Sequence, residues 1–347
     1  MSNSVGRLRM LVVGGGGMGA RHLNKLAMMP GVELVGLADP DRATQGTVTA
    51  IGLPHYTSLA DALGNGRVDG ICIASPTPTH HGLALEALEA GVHVLVEKPI
   101  ATTLAEADDM IEAARRSGCV LAVGHVERHN PVVAELRRLV VDGTLGEISS
   151  LVARRVGGVP PRGVATDVVV DLAVHDIDVM SFLQDAEPVL IGAHGSRTFQ
   201  RVHSDSAEIL MRVGAASGFI QANWVTPTKV RTLTVTGSHG VAEANYVTQE
   251  LRLFETAWIE DSEDFAAFVE AFGRPRELDI PVPRAEPLWR ELTAFVDDVR
   301  AGNLERSVTG QQARVALSVA LDASAALDRV SPPALVASVG RPDRAEA

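Results

Sequence analysis

The chain has 347 residues, of which 46% are hydrophobic and 21% charged, and its formal net charge is −12. This length and composition predict a globular protein with room for two cores, and they exclude disordered and fibrous classes. The negative charge argues against general binding to nucleic acids or anionic membranes. The apolar runs are short, so we expect neither a membrane span nor a signal peptide. Two cysteines, Cys72 and Cys119, lie in apolar surroundings and are typical of reduced thiols in a cytoplasmic protein.

A glycine-rich loop stands between the first apolar run, Met10 to Val13, and a predicted helix that ends at Met28. In dinucleotide-binding folds, glycines at this spacing allow a tight turn, approach of the backbone to a pyrophosphate, and close packing of helix on sheet. The alternative is a simple glycine turn in an unrelated α/β domain. The loop residues predicted to bind a cofactor are Gly14, Gly16, Gly17, Met18 and Gly19.

Asp39 supports the dinucleotide interpretation. It lies 20 residues after Gly19, at the end of a second apolar run, Val32 to Ala38. A carboxylate at this place accepts hydrogen bonds from ribose hydroxyls and repels a 2′-phosphate, so the predicted cofactor is NAD. Arg42 lies close by and keeps NADP as the less favoured alternative.

Residues 59–124 alternate between predicted helices (59–63, 83–90 and 104–117) and buried strands (68–74, 92–96 and 120–123). This alternation predicts a parallel sheet with crossover helices, so we assign residues 1–125 to an N-terminal Rossmann domain. Ligands of such sheets bind at the carboxyl ends of the strands. The residues that follow the strands there, and are predicted to line the cofactor site, are Ser75, Pro76, Thr77, His80, Glu97, Lys98 and His125.

The second half of the chain has a different pattern. Helix 132–140 is followed by alternating runs at 148–156, 189–195, 208–213, 217–223, 230–236 and 250–254. They predict an α+β domain over residues 126–330 with a large, mostly antiparallel open sheet, one face of which covers the first domain or a sister subunit. Two more helices are predicted at 288–300 and 313–327, the second opened by a capping box from Thr309 to Gln312. Residues 331–347 are expected to form a flexible tail.

Lys98, Asp171 and His175 are the candidate catalytic residues. Asp171 and His175 are four positions apart in a predicted helix, 171–183, and therefore share one face. Imidazole is suited to take the proton of a hydroxyl that loses hydride, and a lysine can donate a hydrogen bond to the same oxygen. The alternative roles are an N-cap for Asp171 and a half-buried structural position for His175. A metal held with His80, His81 or His125 lacks a compact ligand spacing, so no metal is predicted.

These motifs together resemble the Gfo/Idh/MocA family of sugar and cyclitol oxidoreductases over almost the full length. The matching pieces are the glycine loop, Asp39, Pro76 to His80, Glu97-Lys98-Pro99, Asp171 with His175, and the Thr309 cap. The resemblance implies that Lys98, Asp171 and His175 are the catalytic set. It also implies a small-molecule substrate and a homodimer or homotetramer built on the Rossmann and α+β domains.

Longer strings resemble UDP-N-acetylglucosamine 3-dehydrogenases within that family. They lie at 123–131, 153–157, 160–162, 170–178 and 223–227, whereas His129 and the pair Gly158-Val159 depart from the pattern. The resemblance implies hydride transfer between NAD and C3 of a UDP-N-acetylhexosamine. Arginines beside a Gly/Pro loop suit a diphosphate, although they also suit a solvated strand edge. The predicted substrate-binding residues are Lys98, Arg128, Asn130, Arg154, Arg155, Arg162, Asp171 and His175.

Two other functions remain open from the sequence. A dehydrogenase of free sugars or cyclitols, or a 3-ketosugar reductase of a secondary pathway, would not need the arginines for a diphosphate. A non-catalytic sensor that binds dinucleotide would usually lack one of the three reactive residues, and all three are present.

Overall fold

The computed structural model describes residues 6–158, 166–199, 202–255 and 276–330. The strands are β1 (Leu8–Val13), β2 (Val32–Ala38), β3 (His55–Tyr56), β4 (Gly70–Ile73), β5 (His93–Glu97), β6 (Leu121–Gly124), β7 (Ile148–Val156), β8 (Pro188–Ser196), β9 (Ser206–Val213), β10 (Ala216–Asn223), β11 (Val230–Gly237), β12 (Gly240–Asn245), β13 (Glu250–Glu255), β14 (Glu277–Ile280) and β15 (Val308–Thr309). The helices are α1 (Gly17–Met28), α2 (Gln45–Thr49), α3 (Leu59–Gly64), α4 (His80–Glu89), α5 (Leu104–Ser117), α6 (Pro131–Val141), α7 (Val174–Gln184), α8 (Pro287–Ala301) and α9 (Gly310–Val330). The predicted Arg162 and the predicted tail 331–347 lie outside the described residues.

The first sheet confirms the predicted Rossmann domain. Its strand order is β15-β6-β5-β4-β1-β2-β3, and the six strands from β1 to β6 pair in parallel. The order reverses beside β1, so β1 and β4 leave a crevice at their carboxyl ends. Helices α4 and α5 cover one face and α1 covers the other.

The second sheet confirms the predicted open, mostly antiparallel architecture. Its order is β14-β13-β12-β11-β7-β10-β9-β8, with a single parallel pair, β7 with β10, near the middle. Helices α6, α7 and α9 pack on one face through a core that includes Leu136, Ile177 and Ala320. The opposite face stays exposed in the single chain.

Strands β1 to β6 lie before the predicted boundary at residue 125 and strands β7 to β14 after it, but the chain returns to the first sheet later. β15 pairs antiparallel with β6, and α8 packs beside α1 through Leu292 and Phe295, which are fully buried. The apolar face of α8 covers an otherwise exposed face of the first sheet, which explains why residues predicted for the second domain belong by packing to the first.

Helix ends follow the predicted signals. Thr309 and Gln312 exchange hydrogen bonds between side chain and backbone at 3.1 and 3.2 Å, which confirms the predicted capping box. Gly118 ends α5 in a left-handed conformation with φ of +68°, as a C-terminal glycine does. No helix of the described residues is long and apolar enough to cross a membrane.

Candidate active site

The glycine loop has the backbone geometry that a dinucleotide requires. Gly14 has φ of +97°, and a Cβ atom there would lie 2.6 Å from the amide nitrogen of Ser75. At Gly19 a Cβ atom would overlap the carbonyl oxygen of Gly14, so α1 can pack on the turn only if position 19 has no side chain. At Gly16 a Cβ atom would meet nothing within 4 Å. The open space before Gly16, at the N-terminus of α1, is suited to a pyrophosphate.

Asp39 lies beside this loop. Its Oδ2 accepts a hydrogen bond from the Gly15 amide at 2.5 Å, and its Oδ1 accepts one from the Asp41 amide at 2.7 Å. A cavity of about 720 Å³ opens here, lined by the glycine loop, Asp39, Asp41, Ser75 and Pro76 among others. Arg42 is exposed and does not line the cavity. Two carboxylates therefore face the place where a ribose would bind.

His80 joins two loops at the carboxyl edge of the sheet. It is 1% exposed, and its ring nitrogens lie 3.0 Å from the carbonyl oxygen of Pro99 and 2.9 Å from that of Ser75. Burial lowers the pKa of His80, so the neutral ring donates to one carbonyl at a time. His80 thus fixes the loops that carry Ser75 and Lys98, and its contact with the cofactor stays a prediction. Thr77 lies in the 3₁₀ turn just before α4 and is not part of the cavity lining.

Glu97 and His125 lie at the ends of neighbouring strands, below the loop surface. Glu97 Oε1 is 2.8 Å from Nε2 of His22 on α1, so this carboxylate anchors the helix that follows the glycine loop. His125 is 1% exposed, its Nδ1 lies 3.6 Å from Asp178 Oδ2, and burial lowers its pKa. His125 therefore packs between the first domain and α7.

Lys98 reaches from the first domain to the second. Its Nζ donates hydrogen bonds to the main-chain oxygen of Asp171 at 2.7 Å and to Asp171 Oδ1 at 3.2 Å. Trp224 Nε1 donates to the other carboxylate oxygen at 3.3 Å. The Lys98 and Asp171 side chains are 16% and 28% exposed, so the pair is partly shielded yet accessible. Two predicted catalytic residues that are 73 positions apart in the chain are in direct contact.

A π-helical turn, Val169–Ala173, carries Asp171 and leads directly into α7 with His175. Asp167 begins this segment, since its Oδ1 accepts hydrogen bonds from the amides of Val169 and Val170 at 2.9 and 3.1 Å. Asp171 therefore does not serve as the N-cap, and its carboxylate is available to Lys98. Short π-helical turns are frequent at functional sites.

His175 is a neutral base in this environment. Burial, together with the positive charges of Lys98 and Arg155, lowers its pKa well below the ordinary value of 6.5. Its Nδ1 is buried and makes no hydrogen bond to any described residue. A neutral imidazole keeps one nitrogen lone pair that can accept a proton.

Two family models match the chain. One is described as an oxidoreductase family with an NAD-binding Rossmann fold and matches residues 8–125, and the other is the GFO/IDH/MocA C-terminal domain and matches residues 133–243. Together they cover more than half of the chain. The chain belongs to the Gfo/Idh/MocA oxidoreductase family.

Relatives within the Gfo/Idh/MocA family act on sugars and cyclitols. UDP-N-acetylglucosamine 3-dehydrogenase of Acidithiobacillus ferrooxidans is 28% identical over 295 residues, which cover 85% of this chain and 89% of the relative. Its solved structure, GnnA, has a TM-score of 0.81 at 26% identity and covers 93% of this chain and 98% of its own. An inositol 2-dehydrogenase of Mycolicibacterium smegmatis is 34% identical over 185 residues, 52% of this chain and 54% of the relative. The family description makes this chain an oxidoreductase, and these two relatives are named as dehydrogenases of a nucleotide sugar and of a cyclitol.

The described residues fit the dinucleotide that the family binds. The open approach to Gly16 leaves room for a pyrophosphate, and the cavity beside Asp39 provides carboxylates for ribose hydroxyls. In the described ranges, no group of three or more His, Cys, Asp or Glu side chains is arranged to hold a metal ion.

The predicted substrate arginines have several different environments. Arg155 is buried, with Nε 2.6 Å and Nη2 3.1 Å from the carboxylate of Asp176 and Nη1 2.9 Å from Glu127. Burial disfavours the charged guanidinium, but Asp176 and Glu127 together raise the pKa of Arg155 above its ordinary value. Arg128 binds Asp178 through two hydrogen bonds of 2.7 Å. Both arginines bind carboxylates of α7, the helix that carries His175. The sequence had instead predicted that they contact the substrate.

Asn130 and Arg154 also differ from the prediction. Asn130 is 1% exposed, caps α6 and donates to the main-chain oxygen of Tyr246 at 3.0 Å. Arg154 projects from the outer face of β7 and donates to Gln221 at 3.3 Å, because side chains alternate along a strand and Arg155 takes the inner face. The structure therefore does not bring Arg154 to Lys98 and His175.

Sequence reasoning missed the partners that support this site. Asp176 and Asp178 lie in the string 170–178, but the sequence assigns them no role. It assigns none to Glu127, Trp224 or His22 either. Alternation along β7 was an available signal, since it places Arg155 on the same face as Ala153, which is fully buried. A buried arginine requires a carboxylate partner, and the acidic pair that flanks Ile177 supplies candidates.

Proposed function

We propose that the protein transfers hydride between NAD and a secondary hydroxyl of a nucleotide sugar, at C3 of a UDP-N-acetylhexosamine. The observation that carries this proposal is the contact of Lys98 with Asp171 next to His175, at the junction of a dinucleotide-binding domain and a second sheet. The choice of sugar is supported by the relative from Acidithiobacillus ferrooxidans, which aligns over 85% of this chain.

His175 takes the proton of the substrate hydroxyl as the carbonyl forms. A neutral ring performs this step without prior deprotonation at neutral pH, because its pKa is lowered by burial and by Lys98. Lys98 donates a hydrogen bond to the reacting oxygen, where it stabilises developing negative charge. Asp171 holds the lysine ammonium through its side chain and main-chain oxygen, so it is a positioning residue for Lys98. The nicotinamide, when bound, supplies the hydride acceptor.

NAD is the proposed cofactor because Asp39 and Asp41 line the cavity in which we place the ribose. Their carboxylates repel a 2′-phosphate. The proposed location is the cytoplasm, in keeping with Cys72 and Cys119, which are unpaired cysteines.

The proposed assembly is a homodimer or homotetramer formed through the outer face of the second sheet. Exposed apolar side chains gather there, on four neighbouring strands: Val152, Val189, Ile191, Leu210 and Phe219. Contiguous apolar surface of this kind is typical of subunit interfaces. Light scattering coupled to gel filtration would measure the molar mass, and replacing Ile191 and Phe219 with serine is expected to yield monomers.

An inositol or free-sugar dehydrogenase is the second candidate. It is favoured by the 34% identity to the inositol 2-dehydrogenase, although that match covers only 52% of the chain. Such a substrate carries no diphosphate.

The test is a substrate panel read by the absorbance of reduced nicotinamide. UDP-N-acetylglucosamine, UDP-glucose, myo-inositol and N-acetylglucosamine are each supplied with NAD or NADP, with and without an added 2-keto acid as terminal acceptor. We expect turnover with UDP-N-acetylglucosamine and NAD. Turnover with myo-inositol alone would replace the proposal with the second candidate.

A further inference from the structure

Arg231 differs from the other predicted or observed arginines around the second sheet in its partners. Arg155 and Arg128 are bound by Asp176, Glu127 and Asp178, and Arg154 lies on the outer face. Arg231, on β11, has no carboxylate partner among the described residues.

Strand pairing fixes the side of the sheet to which Arg231 belongs. Arg231 is the direct antiparallel partner of Arg155, and such cross-strand neighbours share one face. Leu233 and Val235, two and four positions further along β11, are fully buried on that same face. Arg231 therefore lies on the side of the sheet where Arg155 contacts α7, one residue beyond His175.

Main-chain oxygens fix the Arg231 guanidinium and occupy only some of its N–H donors. Nη1 donates to the main-chain oxygens of Val156 and Val230 at 2.5 and 2.8 Å, and Nη2 donates to that of Gly157 at 3.0 Å. An arginine has five N–H donors, so two are not used by the described part of the chain and can serve a ligand. The side chain is half-buried, and in the described residues its fork is held by main-chain oxygens, without a hydrogen bond to a carboxylate.

Arg231 and the catalytic groups influence each other electrostatically. Burial and the neighbouring Arg155 lower the pKa of Arg231, whereas the carboxylates of Asp176, Glu127 and Asp171 oppose the change. Its charge also contributes to the lowered pKa of His175, after burial, Lys98, Arg155 and His125. A bound anion would stabilise two neighbouring guanidinium groups of which one is half-buried.

We propose that Arg231 is the residue that binds the diphosphate of the substrate, and so determines its preference for a nucleoside-diphosphate sugar over a free sugar. This inference rests on the proposed function. The two free donors of a planar fork match two oxygens of a phosphate. The three carbonyl contacts orient the fork in advance, so little side-chain entropy is lost when the anion binds.

The experiment measures binding of UDP and of uridine to the full chain in the presence of NAD, by titration calorimetry. The variants are Arg231→Gln, whose amide can still donate to the carbonyl oxygens, and Arg231→Lys, which keeps the charge without the fork. Arg154→Gln is the matched control, because it removes an arginine from the outer face of the adjacent strand. Melting temperature and the Kd of NAD are measured for every protein.

For Arg231→Gln we expect the Kd of UDP to rise about 10- to 100-fold, the range for one lost charge-assisted contact. A smaller rise is expected for Arg231→Lys and none for Arg154→Gln, with the Kd of uridine and of NAD unchanged throughout. A wild-type protein that does not bind UDP would overturn the inference. So would an unchanged Kd in Arg231→Gln, or equal losses of NAD binding, UDP binding and melting temperature, which indicate a structural role.

The inference and the proposed function fail in different ways. If UDP binds through Arg231 but UDP-N-acetylglucosamine is not oxidised, the sugar assignment is wrong and the diphosphate site remains. If UDP-N-acetylglucosamine is oxidised and Arg231→Gln leaves its KM unchanged, the function stands and the role of Arg231 is wrong.

Discussion

The cofactor side and the catalytic side of the site are held in place by different kinds of interaction. On the cofactor side, Gly14 and Gly19 let backbone pack on backbone, and parallel strands position the loops. On the catalytic side, α7 is held by buried ion pairs from Asp176 to Arg155 and from Asp178 to Arg128. The cofactor side therefore depends on small residues close together in sequence, and the catalytic side depends on charge pairs far apart in sequence.

The largest effect is expected for Asp176→Asn, which breaks the charge balance on the catalytic side. Arg155 would keep Glu127 but lose its bidentate partner in a buried position, at a cost of about 3–5 kcal/mol in the free energy of unfolding. Urea unfolding measures this loss. Glu112→Gln is the control, because it removes an exposed ion pair with Arg115 and should leave the unfolding midpoint unchanged. Equal midpoints for all three proteins would refute the central role of the buried pair.

The next largest effect is expected for Gly19→Ala, which tests the backbone packing of the cofactor side. The added Cβ meets the carbonyl oxygen of Gly14, so α1 must move, with a cost of about 3 kcal/mol and loss of NAD binding. Gly16→Ala adds the same methyl group where nothing lies within 4 Å. It should fold normally and weaken only cofactor binding, as measured with NADH by the fluorescence of its reduced nicotinamide. If Gly16→Ala were as unstable as Gly19→Ala, packing would not distinguish these glycines.

A pH-dependent effect is expected from His129 on the catalytic side. Burial, with the nearby charges of Arg290 and Arg128, lowers its pKa to about 4. The unfolded chain therefore binds more protons between about pH 6.5 and pH 4, and stability falls as the pH falls through that window. His129→Gln removes this contribution, so the loss of stability between pH 7 and pH 5 should be smaller by about 2 kcal/mol.

Urea unfolding at the two pH values measures the difference. His239→Gln, in the exposed turn between β11 and β12, is the matched control and should keep the wild-type dependence. An equal loss of unfolding free energy between pH 7 and pH 5 in wild type and His129→Gln would contradict the lowered pKa of His129.

The smallest effect is expected for Asp39→Ala on cofactor choice. Loss of the carboxylate should raise the Kd of NAD about tenfold and narrow the preference over NADP, because the repulsion of the 2′-phosphate falls. Glu86→Gln removes a carboxylate from the lining of the same cavity and should leave the preference unchanged. An unchanged NAD-to-NADP ratio in Asp39→Ala would show that Asp39 does not select the cofactor.

The same contrast explains what the sequence could predict. The glycine loop, Asp39 and the Thr309 cap were predictable because their signals are local in the sequence. The alternation of helices with buried strands indicated the first sheet, and runs of alternating apolar and polar residues indicated the second. The chemistry of Lys98, Asp171 and His175 marked them as a catalytic set, but the contact of Lys98 with Asp171 was not predicted, since it joins positions 73 residues apart. The pairing of Arg155 with Asp176 and the return of β15 to the first sheet depend on tertiary packing, which sequence spacing does not encode.

The most direct test of the account is the single-turnover rate of nicotinamide reduction with UDP-N-acetylglucosamine, compared between wild type and Lys98→Met. Replacing the lysine with methionine keeps the length of the side chain and removes the hydrogen bonds to the reacting oxygen and to Asp171. We predict a fall in rate of about 100-fold or more, with an unchanged Kd for NAD. A Lys98→Met protein with the wild-type rate would contradict the proposed catalytic set.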